Sequence, residues 1–356
     1  MSNPSVRPSR GYHPLAGLVA ARLREFLREP EAIFWVYVFP LLLMVALGVA
    51  FRNRPVEVFR VVVCAGPQAE SVQRVLDADA RFRASVRGED EGRLALRTGR
   101  ADLVVAAPAD LKPRYEYLFD PTRTESVLAR NTADDVLQRA AGRRDAASVD
   151  DRPVNEPGGR YIDFLVPGLL GMGLMGGGLW GVGYAIVDMR IRKLLKRYVA
   201  TPMPRSYFLA SVILSRLVFT IPEAVLVLAC ARIFFGVTNH GSYLAVLLLI
   251  VLGSFTFAGI GLLVASRART IEAVSGLMNA VMLPMYIGSG IFFSTERFPE
   301  AIQPALVLLP LTPLLSAMRS VMLEGMGLAS LVPELAMLAA WAVVTFALAL
   351  RWFRWT

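Results

Sequence analysis

Three charged residues, Arg216, Glu223 and Arg232, lie inside one long apolar run at 208–235. A charge in hydrocarbon is costly, so each needs a partner, a polar cavity or a route to the interface. Arg216 and Glu223 are seven residues apart, on one helix face but two turns removed. Long cationic side chains reach a membrane boundary from near a helix end. Arg216 is therefore expected to snorkel to one boundary and Arg232 to the other. Glu223, next to Pro222, has no such exit. A structural pairing or a place on a translocation path or gate both fit it.

A second concentration of charge follows the second apolar run: Asp188, Arg190, Arg192, Lys193, Lys196 and Arg197, interrupted by Met189, Leu194, Leu195 and Tyr198 at roughly helical spacing. The stretch 188–198 reads as a short amphipathic helix, closed by Thr201-Pro202-Met203-Pro204. Such a helix could contact lipid headgroups and set topology, or dock a cytoplasmic partner. The Pro-X-Pro stop, which would hold it at a fixed angle, favours docking. A third feature is a glycine ridge, Gly173, Gly177 and Gly181, with Gly176, Gly178 and Gly183 alongside. Glycines at this spacing let another backbone approach closely, either as packing within one subunit or as a dimer seam or sliding face beside a substrate path.

Covalent chemistry finds no support. The sequence contains no G-x-x-x-x-G-K-[ST], so it has no P-loop to cradle ATP phosphates. It has no Ser/His/Asp or metal-ligand cluster, and His13 and His240 lack neighbours of ligand type.

These features need a membrane to position them. Apolar residues make up 55% of the chain, and its mean hydropathy is +0.49. Several apolar runs reach about 20 residues, the length that crosses a hydrocarbon core of roughly 30 Å. Spans are expected at 33–51, 164–187, 208–235, 242–265, 273–293 and 332–350. The first is preceded by 32 residues and is too long for a cleavable signal core, so it reads as a retained anchor. Cys64 falls in a soluble segment and Cys230 in an apolar run, which argues against a disulfide framework.

The net charge of +9 is not spread evenly. Residues 52–163 hold 19 Lys and Arg against 19 Asp and Glu, out of chain totals of 38 and 29. The excess lies wholly in the apolar part and its flanks, which points to membrane orientation and away from nucleic acid. Arg7, Arg10, Arg22, Arg24 and Arg28 precede the first run. Six basic residues from Arg190 to Arg205 follow the second, Arg267 and Arg269 follow the fourth, and Arg351 and Arg354 end the chain. That face collects 15 basic residues; the other has Arg297 and Arg319. Both termini are expected in the cytoplasm, with 52–162 outside.

Residues 12–30 carry Leu15, Leu18, Val19, Leu23, Phe26 and Leu27 near helical spacing among arginines, the pattern of an interfacial helix. The external segment alternates strand-like and helix-like stretches. Strands are expected at Phe59–Cys64, Phe82–Val86, Leu103–Ala107 and Arg114–Phe119. Helices are expected around Val72–Leu76, at Leu94–Leu96 and over 123–142, giving a small α/β domain with a linker at 152–159. The run 299–325 is apolar but interrupted by Pro304, Pro310 and Pro313, and is read as re-entrant. The fold expected is membrane all-α with six transmembrane helices. It adds an N-terminal interfacial helix in 1–32, the inserted α/β domain at 52–162, and a five-helix part at 163–356 that contains a loop at 188–206 and an outer re-entrant pair at 299–325.

In this order the features resemble the permease subunits of type-2 ABC exporters, in the subgroup with a large external domain between the first two spans. The specific part is Gly290-Ile291-Phe292-Phe293, then Phe298-Pro299, Leu309-Pro310-Leu311-Thr312-Pro313 and Ala317-Met318-Arg319. This is similar to that family's G-x-F-F, L-P, P-L-T and following arginine, with Leu309-Pro310 where Asn-Pro is common. Asp163-Phe164-Leu165-Val166-Pro167-Gly168 and the acidic-then-basic loop ending in Thr201-Pro202 also look like the family.

The resemblance implies two permease copies, most simply a homodimer, in a bacterial inner membrane with two ATPase subunits. ATP and Mg would belong to those subunits, with no cofactor in this chain. It further implies that 12–30 is a connecting helix, that Asp188–Thr201 is a coupling helix docking on the ATPase, and that 299–325 is an outer re-entrant pair. Family cargoes include drugs, lipids and polysaccharides. Two other classes stay open. A secondary transporter could use Glu223 as a proton-linked carboxylate, although one carboxylate is few for a relay and no inverted repeat is visible. A membrane-anchored assembly or sensor protein would ordinarily need fewer spans.

Overall fold

A computed structural model describes residues 14–51, 58–106, 115–144, 147, 159–201 and 204–353. Arg7, Arg10, His13, most of the linker at 152–159, Pro202-Met203 of the Pro-X-Pro stop and Arg354 lie outside the described residues. The chain divides into two compact units, Asn53–Val154 and the remainder.

Among the described residues, the larger unit contains six helices long and apolar enough to cross a membrane: Pro30–Ala50, Tyr161–Ile191, Tyr207–Phe235, Tyr243–Ala265, Ile271–Gly288 and Val332–Trp352. Two expected boundaries shift. The fifth helix stops at Gly288 instead of running to 293, because the backbone turns through Gly290 at φ +83. The residues Gly290–Phe293 thus form a turn, and a left-handed conformation there suits only glycine without strain. The second helix runs on through Asp188 to Ile191, past the expected end at 187.

Two of these helices depart from regular α geometry, and others carry an internal proline. The first has π turns over Phe34–Val38, just before Pro40. Proline cannot donate to the carbonyl four residues back, and a widened turn there is one way to absorb the lost bond. The second has π turns over Leu179–Tyr184, directly after its run of glycines. The third contains Pro222.

The second span is the centre of this unit. Its residues from Leu165 to Leu170 are buried throughout, and it packs on the third and fourth spans and on the helix Leu311–Met322. That helix follows a shorter one, Gln303–Val307, within the proline-interrupted run. The N-terminal helix Pro14–Leu27 does not keep all its apolar stripe for a lipid face. Phe26 stacks on Phe219 of the third span at 4.1 Å between ring centroids, while Leu27 is exposed.

The inserted unit is a four-stranded sheet in the order β2-β1-β3-β4, with β1 Phe59–Cys64, β2 Phe82–Arg87, β3 Leu103–Ala106 and β4 Glu116–Leu118. β1 is parallel to β2 and β3, and β4 is antiparallel to β3. Alternation along β1 explains the layers. Val61 and Val63 face helices α1 (Ala69–Asp77) and α3 (Thr124–Ala140), through Val72, Leu76, Ala133 and Leu137. Val62 faces the other way with Val104, towards α2 (Glu89–Arg97). Gly92 of α2 lets that helix settle on Val62 and Val104, where an added Cβ would sit 3.2 and 3.1 Å from their methyls. Buried Asp102, at the start of β3, joins the sheet to α3: it accepts from Arg123 at 3.1 Å and from the Arg60 backbone at 3.0 Å.

Candidate functional site

The middle of the third span turns inward. Arg216 and Glu223 are both buried, with 7% and 8% of their side chains exposed, and Arg216 Nη2 donates to Glu223 Oε2 at 3.1 Å. Arg216 therefore does not snorkel to a boundary. Two turns separate the residues, and the length of the arginine side chain closes that gap. The same nitrogen also donates to the Gly173 carbonyl at 3.3 Å. Arg232 lies exposed in the last turn of the span.

The partner surface for this pair is the glycine ridge. A Cβ at Gly173 would collide with Glu223 Oε1, and one at Gly177 would fall inside the Arg216 guanidinium. At Gly181 it would crowd the Arg216 Cδ at 3.3 Å and meet its Nε and Nη1 at 3.8 Å. The ridge thus packs within the subunit, as a trough for an ion pair. Gly178 and Gly183 instead receive the fourth span at Phe257 and Gly261, and Gly176 has no neighbour near its missing side chain. Two features that the sequence shows separately are one site. A buried pair of this kind contributes little net stability, since desolvation offsets the attraction. Removing one partner leaves an uncompensated charge and is strongly destabilising.

The basic loop divides in two. Asp188 and Arg190 are in the last turns of the second span, and the backbone then reverses at Lys193, the one non-glycine residue with positive φ among those described, at +58. A separate helix covers Leu194–Val199. The single amphipathic helix expected over 188–198 is therefore two segments with a turn between them. Leu195 is buried, and Tyr198 stacks on Phe208 of the third span at 4.9 Å. Thr201 Oγ1 donates to the Tyr198 carbonyl at 2.7 Å and closes the last turn. With its apolar side anchored, the segment exposes Arg192, Lys193, Lys196 and Arg197. Arg192 pairs with Asp188 at 2.9 Å on that surface.

Arg190 does not belong to this exposed group. Its Nη1 donates to the carbonyls of Ala265 at 2.8 Å and Ala268 at 2.7 Å, and its guanidinium lies 5.4 Å from the Phe353 ring centroid. It caps the C-terminal end of the fourth span, where unpaired carbonyls concentrate negative partial charge. Arg160 does the same at the other end of the second span, donating to Phe235 O at 2.9 Å at the end of the third span while its Nη2 pairs with Asp163 at 2.9 Å.

Arg319 completes the set. It donates to the Gly290 carbonyl and stacks over Phe164 at 3.7 Å, joining the helix Leu311–Met322 to the turn after the fifth span and to the second span. Thr312 Oγ1 donates to Leu306 O at 2.7 Å, bracing the two short helices, and Pro310 and Pro313 are buried beside it. Phe293 packs on Phe298 at 6.1 Å. Phe292 is half-buried, while Pro299 is exposed.

Sequence reasoning missed Arg160 and the capping role of Arg190. A signal existed for both: each lies beside an end of the second span, where a neighbouring helix must also end. Among the described residues no group of three or more His, Cys, Asp and Glu is placed to hold a metal ion. A cavity of about 270 Å³ opens between Ser242–Leu248 and Gly325–Leu328, and does not include the ion pair.

Residues 30–351 match the family model described as ABC-2 family transporter protein. The chain is 25% identical over 176 residues to the linearmycin resistance permease protein LnrN of Bacillus subtilis, covering 49% of this chain and 46% of that protein. It is 24% identical over 159 residues to the inner membrane transport permease YadH of Escherichia coli, covering 45% and 62%. It is 26% identical over 172 residues to ABC transporter G family member 20 of Dictyostelium discoideum, covering 48% and 24%. The match thus spans between a quarter and under two thirds of the length of these curated relatives. Since the family model covers nearly all of the sequence and the described residues include six helices long and apolar enough to cross a membrane, the chain belongs to the ABC-2 transporter family as a multi-pass membrane permease.

Proposed function

We propose that this chain is the permease half of an ATP-driven exporter, without a nucleotide site of its own, and that Arg192, Lys193, Lys196 and Arg197 form its docking surface for an ATPase subunit. The observation that carries this reading is the contrast in the loop. Leu195 is buried and Tyr198 packs on the third span, while Arg192, Lys193, Lys196 and Arg197 are exposed around a short, braced helix. A segment anchored in this way transmits a push to the second and third spans, which it joins, whereas a mere topology signal needs no anchor.

In the full assembly two copies of the chain would pair and bind two ATPase subunits, which supply ATP and Mg. Both termini and the docking loop face the cytoplasm, and the inserted α/β unit lies outside. The helices Gln303–Val307 and Leu311–Met322 form an outer re-entrant pair, and spans of both copies open and close a central path. Cargo belongs to the class of drugs, lipids or polysaccharides. One relative's name records resistance to linearmycin, which favours a drug-like cargo. The engagement of Glu223 by Arg216 argues against a proton relay, because the carboxylate already has a cationic partner.

The test is ATP turnover. The purified chain alone should hydrolyse no ATP, and a cognate ATPase subunit should bind it and turn over faster in its presence. Strong hydrolysis by the chain alone, or indifference of every candidate ATPase subunit to it, contradicts the reading.

A further inference from the structure

In the inserted unit, the edge strand β4 and the helix α3 carry polar and aromatic groups that the membrane unit does not use. Tyr115, just before β4, and Tyr117 within it are two residues apart, which puts both on one side of an extended segment. Both pack against the core that includes Ala133 and Leu137 of α3. Their ring centroids are 6.5 Å apart. Arg130, Asp134, Gln138 and Ala141 follow at helical intervals along one face of α3 and its end. Arg130 lies over the Tyr117 ring at 5.3 Å. The chain then turns through Gly142, at φ +97, and Arg143 folds back over the helix end. There its Nη1 donates to Gln138 Oε1 at 3.2 Å.

Tyr115, Asp134, Gln138, Ala141 and Arg143 line an open depression of about 360 Å³. That volume lies within the range of small-molecule clefts, roughly 300–1,000 Å³. Its walls are mainly polar, whereas clefts for drug-sized ligands are mostly apolar. Asp134 Oδ1 accepts from Tyr117 at 3.0 Å and from Gln138 Nε2 at 2.9 Å. Among the described residues, Asp134 Oδ2 accepts from none and the Tyr115 hydroxyl has no partner. An ionised carboxylate accepts on both oxygens. The network therefore fixes the Asp134 side chain and leaves one oxygen for an outside donor. Arg143 already pairs with Asp135, which favours a neutral ligand over an anion.

We propose that this depression binds a neutral carbohydrate. Sugar hydroxyls both donate and accept, so they are recognised by planar polar side chains held in fixed orientations. A pyranose also presents a face of C–H groups that settles against an aromatic ring. Asp134 Oδ2 accepts from sugar hydroxyls, the Tyr115 ring receives the C–H face, and the Tyr115 hydroxyl and the Arg143 N–H groups donate to sugar oxygens. Ala141, small and exposed, leaves the depression open. The site lies wholly within the inserted unit. It stands whether or not the membrane unit couples to an ATPase subunit.

The experiment is saturation-transfer difference NMR on the full chain in phospholipid nanodiscs free of glycoside detergent. The probes are the methyl glycosides of glucose, galactose, mannose and N-acetylglucosamine. At least one should receive saturation from the chain, most strongly at its ring C–H protons, and titration then gives its affinity. L-Glutamate and L-arginine, charged probes, should receive none. Ala141→Phe fills the depression from an exposed position and should abolish transfer with the melting temperature unchanged. Asp134→Asn should weaken binding about tenfold or more, since it loses a charge-assisted hydrogen bond. Glu125→Gln, on the same helix but outside the depression, should bind as the parent chain does. No transfer to any of these glycosides overturns the proposal, as does transfer to the charged probes alone. Binding left unchanged by Ala141→Phe or by Asp134→Asn overturns it equally. The ATP-turnover test of the proposed function is read separately, so either can fail without the other.

Discussion

Arg190 and Arg192 are two residues apart and do opposite things. Arg190 is folded back onto the carbonyl end of the fourth span, while Arg192 stands on the surface with Asp188. The same division runs through the larger unit. Arg160, Arg190, Arg216 and Arg319 each donate to backbone carbonyls of a neighbouring segment, and every one of them touches or belongs to the second span. Lys193, Lys196 and Arg197 are exposed. A guanidinium becomes a structural clamp where a helix end or a side-chain-free backbone offers acceptors within reach. Where no such acceptor is near, the charge remains available to a partner. Count and sign of charge do not separate the two groups; the end of the adjacent helix does.

The largest effect should come from breaking the buried pair. Arg216→Ala or Glu223→Ala alone should lower stability by about 3–5 kcal/mol, because an unpaired charge is left among apolar groups. Thermal unfolding in detergent reads this. Arg216→Met with Glu223→Leu should recover most of the loss; a double variant as unstable as the singles would show that the charges themselves hold the spans together. Arg190→Ala comes next, at about 1.5–3 kcal/mol for charge-assisted bonds to carbonyls. Arg197→Ala should leave the melting temperature unchanged, and an equal drop for both would erase the distinction between clamps and exposed charges.

A smaller loss than at the clamps lies in the inserted unit, where a neutral donor takes the clamp's place. Tyr117 donates to Asp134 at 3.0 Å, and Tyr117→Phe should cost about 1 kcal/mol. Burial first, then this hydrogen bond, pushes the Tyr117 phenol above its ordinary 10.0. A raised phenol favours the folded state below pH 10.0 and loses that contribution as pH climbs past it. Unfolding monitored between pH 9 and 11 should therefore show less alkaline destabilisation in Tyr117→Phe than in the parent protein (about one pH unit either side of an ordinary tyrosine).

Much of the architecture is legible in the residues. Runs of about 20 apolar positions place the six long helices, because the length rule is local to each run. The strands from Phe59 and from Leu103 are equally local, being β-branched stretches ended by turn residues. The site is less legible. Arg216, Glu223 and the glycines at 173, 177 and 181 stand out individually, but their contact depends on the antiparallel register of two spans, which one sequence does not encode in any local spacing. A physical clue was present: a guanidinium in mid-span needs room, and only a surface without side chains provides it. The end of the fifth span was misplaced because Ile291, Phe292 and Phe293 are apolar enough to prolong a helix, while Gly290 and its carbonyl bond to Arg319 turn the chain instead.

The division between clamped and exposed charge is tested most directly by reversing the exposed set. Arg192→Glu, Lys193→Glu and Arg197→Glu together should leave membrane insertion and melting temperature as in the parent chain, while abolishing both binding of the ATPase subunit and stimulation of its ATP turnover. A triple variant that binds and stimulates the ATPase normally would contradict the docking role, and one that fails to fold would place these residues among the clamps.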